Sequence, residues 1–230
     1  MQTISHSDFV VGIFKKELKN RFLCEVNING EDVVCYVPSS CHLSNFLKLE
    51  GKEVLLIPTA TAKSRTKYAL FAVPYKKNYI ILNTSMANRA VEGSINSKRF
   101  SYLGKRNSVI KEFTIEGYKA DLFLPLSNTV VEVKSVISLN ENANFPTVYS
   151  ERTLSQLKML LELLKKGYKV CFIIVSLHPY VKNIQIDINS EFYNELVKCL
   201  KAGMSIKAYT CRLKEDIVLV DKEISISYSK

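Results

Sequence analysis

Two carboxylates and an amine stand in this chain at a spacing suited to metal-assisted phosphate chemistry. Asp121 is followed, after ten intervening residues, by Glu132, and Lys134 lies two positions further on. Carboxylate oxygens are hard ligands that suit Mg²⁺, and the backbone carbonyl of Val133 would add a third oxygen. A lysine beside them can orient or help deprotonate an attacking water and offset phosphate charge. Such a set hydrolyses a phosphodiester without histidine, with Mg²⁺ or Mn²⁺ as the expected cofactor. The competing account is a structural ion pair at a strand end.

The elements around these residues decide between the two accounts. Glu132 and Lys134 sit in "TVVEVKSV" (129–136), an apolar segment that reads as a buried strand. Alternation puts Thr129, Val131, Val133 and Ser135 on one face, and Val130, Glu132, Lys134 and Val136 on the other. Charges on such a strand are rarely buried unless paired or bound to metal. Glu-x-Lys alone is cheap, since it also occurs at 17–19 and 50–52. Only the third copy has a carboxylate, Asp121, on the preceding strand of a predicted hairpin, where antiparallel pairing can bring it next to Glu132.

Around this centre the pattern predicts two domains, 1–83 and 84–230. The first holds short strands at 9–14, 21–26, 32–37, 53–57, 68–73 and 79–83, with "NING" as a hairpin turn. That count suggests a small OB-like barrel, an architecture that often binds oligonucleotides. The second opens on a short helix in "TSMANRAVEGSI", capped by Thr or Ser and stopped near Gly93. Strands at 108–115, 119–126 and 129–137 follow, then a leucine-rich helix in "ERTLSQLKMLLELLKKG", a buried strand at 169–177, a helix at 191–202 and further strands. The fold class is therefore mixed α/β.

Composition narrows the function. The net charge of +10 over 230 residues favours a polyanionic partner, nucleic acid before membrane. No apolar run approaches the ~20 residues of a membrane span. The first twenty residues lack a signal-peptide pattern, so a soluble cytoplasmic protein is expected. Six cysteines with no C-x-x-C pair and only three histidines argue for buried free thiols rather than a zinc site. A homo-oligomer remains compatible with the sequence.

Cationic clusters mark where nucleic acid would lie. Lys63, Arg65 and Lys67 alternate ahead of Tyr68, Arg21 borders the first turn, and Lys98 and Arg99 flank Phe100 and Tyr102. Basic groups interleaved with aromatics suit a phosphate-tracking groove with stacking positions. No base-reading helix is evident, so DNA binding with little sequence specificity is expected.

Asp-x(10)-Glu-x-Lys on a helix, three strands, helix and strand resembles the PD-(D/E)xK nuclease superfamily over about residues 84 to 177. The resemblance implies that Asp121 and Glu132 hold the metal and that Lys134 serves the catalytic water. It further implies a carboxylate from the first helix, here Glu92, and a Gln from the helix after the motif, here Gln156, with Arg152 one turn away. Over nearly the whole chain, "RFLCEV", "YVP", "NTSMAN", "DLFL", "EVKSV", "FP" and the "ER" at 151–152 are similar in type and order to the sugar fermentation stimulation protein A (SfsA) family. That resemblance implies a DNA-binding protein with an OB-like N-terminal domain and a PD-(D/E)xK restriction-endonuclease-like C-terminal domain. The chain departs from the family at "SSCHL" (39–43), at "YKA" before Asp121, where Lys119 keeps a charge, at "FPTV", and at Gln156, where the family has His.

Two functions follow. One is a metal-dependent nuclease with an appended binding barrel. The other is a non-catalytic, regulatory DNA-binding protein that retains a nuclease fold. A lysine-dependent small-molecule enzyme has no Gly-rich phosphate loop to support it.

Overall fold

The computed structural model describes residues 9–38, 42–45, 47–59, 64–215 and 217–229. Strands β1 (Val10–Glu17), β2 (Leu23–Ile28), β3 (Glu31–Tyr36), β4 (Glu53–Pro58) and β5 (Tyr68–Tyr75) form a sheet in the order β3-β2-β1-β4-β5. A parallel contact, Tyr36 to Ala69, closes it into the OB-type barrel. Asn29 and Gly30 both adopt positive φ in the two-residue β2–β3 turn, as the twist of such a hairpin requires. β6 (Asn78–Ile81) extends the sheet beyond the closed barrel and leads into the second half.

There α1 (Met86–Ser94) is followed by β7 (Ile110–Ile115), β8 (Tyr118–Leu124), β9 (Thr129–Val136), β10 (Asn142–Asn144), α2 (Glu151–Lys165), β11 (Lys169–Ser176), β12 (Asn183–Asp187), α3 (Glu191–Lys201), β13 (Ser205–Lys214) and β14 (Ile217–Ser229). The strands form one mixed sheet in the order β10-β12-β14-β13-β11-β9-β8-β7. β9 pairs in parallel with β11 and antiparallel with β8. Glu116 and Gly117, both at positive φ, make the tight β7–β8 turn.

Each face of this sheet buries a separate core. Val131 and Val133 of β9 join Ile173, Tyr209, the α1 residues Met86 and Val91, and barrel residues such as Phe14 and Leu56 in one apolar cluster. Val130 and Val136 face the other way, into a cluster with Leu157 and Leu160 of α2 and Leu196 of α3. The alternation expected for β9 is thus realised. The barrel and the sheet share one core, so the two halves pack as one body.

The structure differs from expectation in detail. Ser85 precedes α1 but makes no capping bond; its hydroxyl donates to Asn83 Oδ1 (2.7 Å), and the helix runs through Gly93 to Ser94. The five described cysteines are buried and free, as expected, and Cys41 lies outside the described residues. No helix among the described residues is long and apolar enough to cross a membrane.

Candidate active site

Asp121 occupies a break in the sheet. Tyr118 and Ala120, earlier on β8, pack into the α2–α3 core, whereas Leu122 and Leu124 pack into the barrel-side core. All four have the same parity, so the strand changes face at Asp121. Glu112, on the facing strand β7, has φ 49°, and β8–β9 pairing ends at Leu122–Val131. In the gap, Asp121 Oδ2 accepts from Val133 N (2.8 Å) and Oδ1 from Asn88 Nδ2 of α1 (2.8 Å).

Glu132 lies beside it, 1% exposed. Lys134 Nζ (2.6 Å) and Gln156 Nε2 (2.8 Å) both donate to Glu132 Oε1, and the buried Tyr118 hydroxyl donates to Oε2. Lys134 Nζ also donates to Gln156 Oε1 (2.6 Å), closing a three-membered ring of contacts. Burial raises the Glu132 carboxyl above the ordinary range, Lys134 pulls it back, and the neighbouring Asp121 charge pushes it up again. Three satisfied bonds make this buried carboxylate tenable.

The donor set fits a divalent cation. Each Asp121 oxygen uses one of its two acceptor positions, and Glu132 retains one of about four. Because a strand residue presents its N–H and C=O to the same side, the Val133 carbonyl faces the gap with Asp121. Two carboxylates and a carbonyl are hard oxygen ligands suited to Mg²⁺.

These groups floor a cleft of about 850 Å³. Ser85, just before α1, and Asn88, Arg89 and Glu92 on the helix's outward face line one side, and the β7–β8 hairpin supplies Lys111 and Lys119. Arg152 and Gln156 line it from α2. The site residues read from sequence therefore meet in one cleft: Asp121, Glu132, Val133, Lys134, Gln156, Glu92, Lys119 and Arg152. Glu92 is held by Lys111 (3.0 Å), and no cluster of three or more His, Cys, Asp or Glu side chains converges among the described residues. The pair Asp121 and Glu132 thus stands without it. Lys119 is ion-paired with Glu112 (2.8 Å) at the rim.

Among the described residues, the other cations lie apart from the cleft lining. Lys63 lies outside the described residues, and Arg65 and Lys67 are exposed in a bend before β5 rather than in an extended run. Arg21 stacks on Phe22 (4.8 Å) at the β1–β2 turn. Lys98 is exposed, and Arg99 donates to the Val220 carbonyl (3.1 Å). One expectation is overturned: Phe100 is fully buried against Tyr209, so it cannot stack on a base. Tyr102 is partly exposed, with Lys207 over its ring and its hydroxyl bonded to that of Tyr209.

Sequence reasoning missed Asn88, Arg89 and Tyr118. Asn88 lies in "NTSMAN", and a helical wheel through Glu92 would have placed Asn88 and Arg89 on its face. Tyr118 carried no such signal, because the change of face at Asp121 breaks strand alternation.

Known proteins match along both halves. Residues 85–217 match the family model described as "Sugar fermentation stimulation protein RE domain", and residues 18–82 match "SfsA N-terminal OB domain". A sugar fermentation stimulation protein homolog from Pelagibacter ubique is 29% identical over 220 residues, covering 90% of this chain and 91% of its own. One from Methanobrevibacter smithii is 26% identical over 239 residues, covering 97% and 99%. The structure of Pyrococcus furiosus SfsA in complex with Ca²⁺ superposes with a TM-score of 0.81 over 99% of both chains, at 20% identity, a likeness of fold. With a family model spanning more than half of its length and the barrel matched in front of it, the chain belongs to the sugar fermentation stimulation protein family.

Proposed function

We propose that the protein is a metal-dependent nuclease that binds DNA with little sequence specificity and hydrolyses phosphodiester bonds in the α1–β8–β9–α2 cleft. The observation that carries this reading is the meeting of Asp121, Glu132 and Lys134 on one cleft floor, although the chain has to change face on β8 to achieve it. Asp121, Glu132 and the Val133 carbonyl would hold Mg²⁺ or Mn²⁺. The relative solved with Ca²⁺ supports a hard, oxygen-ligated cation. When bound, the metal would acidify a coordinated water and neutralise charge on the phosphate.

The chain's own groups do the rest. Lys134 spends two of its three donors on Glu132 and Gln156, which leaves one for a phosphate oxygen or the attacking water. Gln156 fixes that ammonium from α2 and bonds Glu132 with its other end. Asn88 and the Val133 amide fix both oxygens of Asp121. Arg89, Lys111, Lys119 and Arg152 around the cleft would hold the flanking phosphates. Arg21, Arg65 and Lys67 would extend the path over the barrel, and Lys63, outside the described residues, is two positions before Arg65 in the sequence.

One observation favours the non-catalytic reading: Glu92 is engaged by Lys111, so among the described residues no third carboxylate joins the pair. A cleavage assay on single- and double-stranded DNA and RNA, with Mg²⁺ or Mn²⁺ and with Glu132→Ala alongside, separates the two. Metal-dependent cutting by the parent, lost in Glu132→Ala, supports the nuclease. Tight binding with no cutting of any of the four substrates supports the binding protein.

A further inference from the structure

Beside the cleft lies a second cavity of about 540 Å³. Both cavities are lined by Phe145, Pro146, Thr147 and Val148, so this segment is the partition between them. The second cavity continues between the first turns of α2 and α3 and the ends of β12 and β14.

Its lining has the chemistry of a site for a flat, polar-edged ring. Phe145 and Phe192, both nearly fully buried, give it an apolar body together with Leu154. Asn144, Gln185 and Asp187 present hydrogen-bonding edges. Gln185 Nε2 donates one of its two hydrogens to Ser229 Oγ (2.7 Å), which leaves the other hydrogen and the Oε1 acceptor. Asp187 Oδ1 accepts from Asn189 N (2.8 Å), which leaves Oδ2. The Asn144 amide makes no hydrogen bond to the described residues. At the mouth stands Tyr149, 66% exposed, its ring tethered by a hydroxyl bond to Glu191 Oε2 (3.3 Å).

Charge excludes a phosphate as occupant. Helix N-termini such as those of α2 and α3 favour anions, but the charged side chains lining this cavity are Asp187 and Glu191, with no Lys, Arg or His among them. Asn144 and Gln185 can each donate and accept, and the free Asp187 Oδ2 tips the edge toward a neutral ring that presents an exocyclic amine. Stacking on an exposed tyrosine suits any base.

We propose that this cavity is a nucleobase pocket, which receives the base next to the scissile phosphate and prefers bases with an exocyclic amine (adenine, cytosine, guanine) to thymine or uracil. The proposal rests on the nuclease reading for its biological use but not for its test. Adenosine, cytidine and thymidine are titrated separately into the full-length protein and followed by amide chemical shifts. Adenosine and cytidine should perturb residues 144–149 and 185–192, with thymidine weaker by about fivefold or more, the discrimination of one good base-edge pair. Asn144→Leu with Asp187→Asn, which keeps the Oδ1 acceptor for Asn189, should remove that difference. Tyr149→Ala should weaken all three nucleosides alike. In cleavage of a randomised oligonucleotide, the parent should disfavour thymine beside the cut, and the double variant should lose the bias. Nucleoside binding at these residues with no cleavage of any substrate leaves the pocket standing and defeats the nuclease reading. Absence of shifts there, thymidine binding as well as the others, or an unchanged bias in a double variant that still cuts, overturns the pocket.

Discussion

Glu132 and His178 are two ionisable groups buried to the same degree, 1% exposed each, in adjoining parts of one sheet. Glu132 lies on β9 opposite Phe172 of β11, and His178 follows the end of β11 by two residues. Glu132 receives three hydrogen bonds. Among the described residues, neither ring nitrogen of His178 has a hydrogen-bond partner. His178 lies instead among rings, 4.8 Å from Tyr75 and 6.0 Å from Tyr180, with Lys76 over both tyrosines. Burial favours the neutral form of both. Lys134 opposes that for Glu132, whereas the Lys76 charge reinforces it for His178, whose pKa falls to about 4. A satisfied buried group can be the floor of a reactive site; an unsatisfied one is a cost carried by the packing around it. His178 carries that cost at the joint between the halves, where Asn78 of β6 donates to the Tyr180 hydroxyl (3.2 Å) and Ile81 N to the Leu177 carbonyl (2.9 Å).

The contrast breaks most visibly at Glu132. Glu132→Ala should reduce metal-dependent cleavage to background while DNA affinity without metal stays equal or rises slightly, because a negative charge leaves the phosphate path. Gel-based cleavage and fluorescence anisotropy with EDTA would read the two effects. If this variant cuts as well as the parent, the activity belongs elsewhere.

Tyr118→Phe keeps the ring and removes one of the three bonds to Glu132. Outer partners of metal ligands typically change affinity about 10–100-fold when removed, and a loss in that range is expected by Mn²⁺ calorimetry. An unchanged affinity would mean that Lys134 and Gln156 alone orient the carboxylate.

For His178 the sign follows from a folded pKa of about 4 against an ordinary value of 6.5. Its contribution to stability is fully present above about pH 6.5 and is lost as pH falls toward about 4, because the unfolded chain takes up the proton first. His178→Phe should flatten that part of the pH profile. At pH 7 it should be neutral or stabilising by about 1 kcal/mol, since an unsatisfied polar group is replaced by an apolar one. Urea melts at pH 7 and pH 5 check this, and an acid dependence identical in both proteins contradicts it.

The smallest effect expected is on the barrel side of the joint. Arg65→Glu with Lys67→Glu should weaken DNA binding and lower the salt slope by about 0.9 for each duplex phosphate that the barrel ceases to neutralise, with metal affinity untouched. If binding is unchanged, the path runs over the cleft rim at Arg89, Lys111, Lys119 and Arg152.

The Glu132 side of this contrast was legible in the residues, whereas nothing in the sequence singled out His178. Two charges in an apolar strand marked Glu132 and Lys134, and period-2 alternation put them on the face they occupy. The turn at Asn29–Gly30 follows from two residues that tolerate positive φ in a two-residue hairpin, whereas at the β7–β8 turn Gly117 does so and Glu116 adopts positive φ against its usual preference. Tyr118 and Asn88 were hidden because their contacts depend on the break in β8 and on the docking of α1, which are tertiary events. Phe100 reads as exposed beside Lys98 and Arg99, yet the 3-10 turn around it directs its ring into the shared core. β10, three residues long, is too short for a periodic signal, and its partner β12 lies nearly forty residues downstream.

The most direct test of the central claim is Mn²⁺ binding, measured by electron paramagnetic resonance on three proteins at pH 7. The parent and His178→Phe should each bind Mn²⁺ with the same affinity, because His178 contributes nothing to the cleft, and Glu132→Ala should lose that binding. Equal Mn²⁺ affinity in the parent and Glu132→Ala would contradict the assignment of the metal to Asp121 and Glu132.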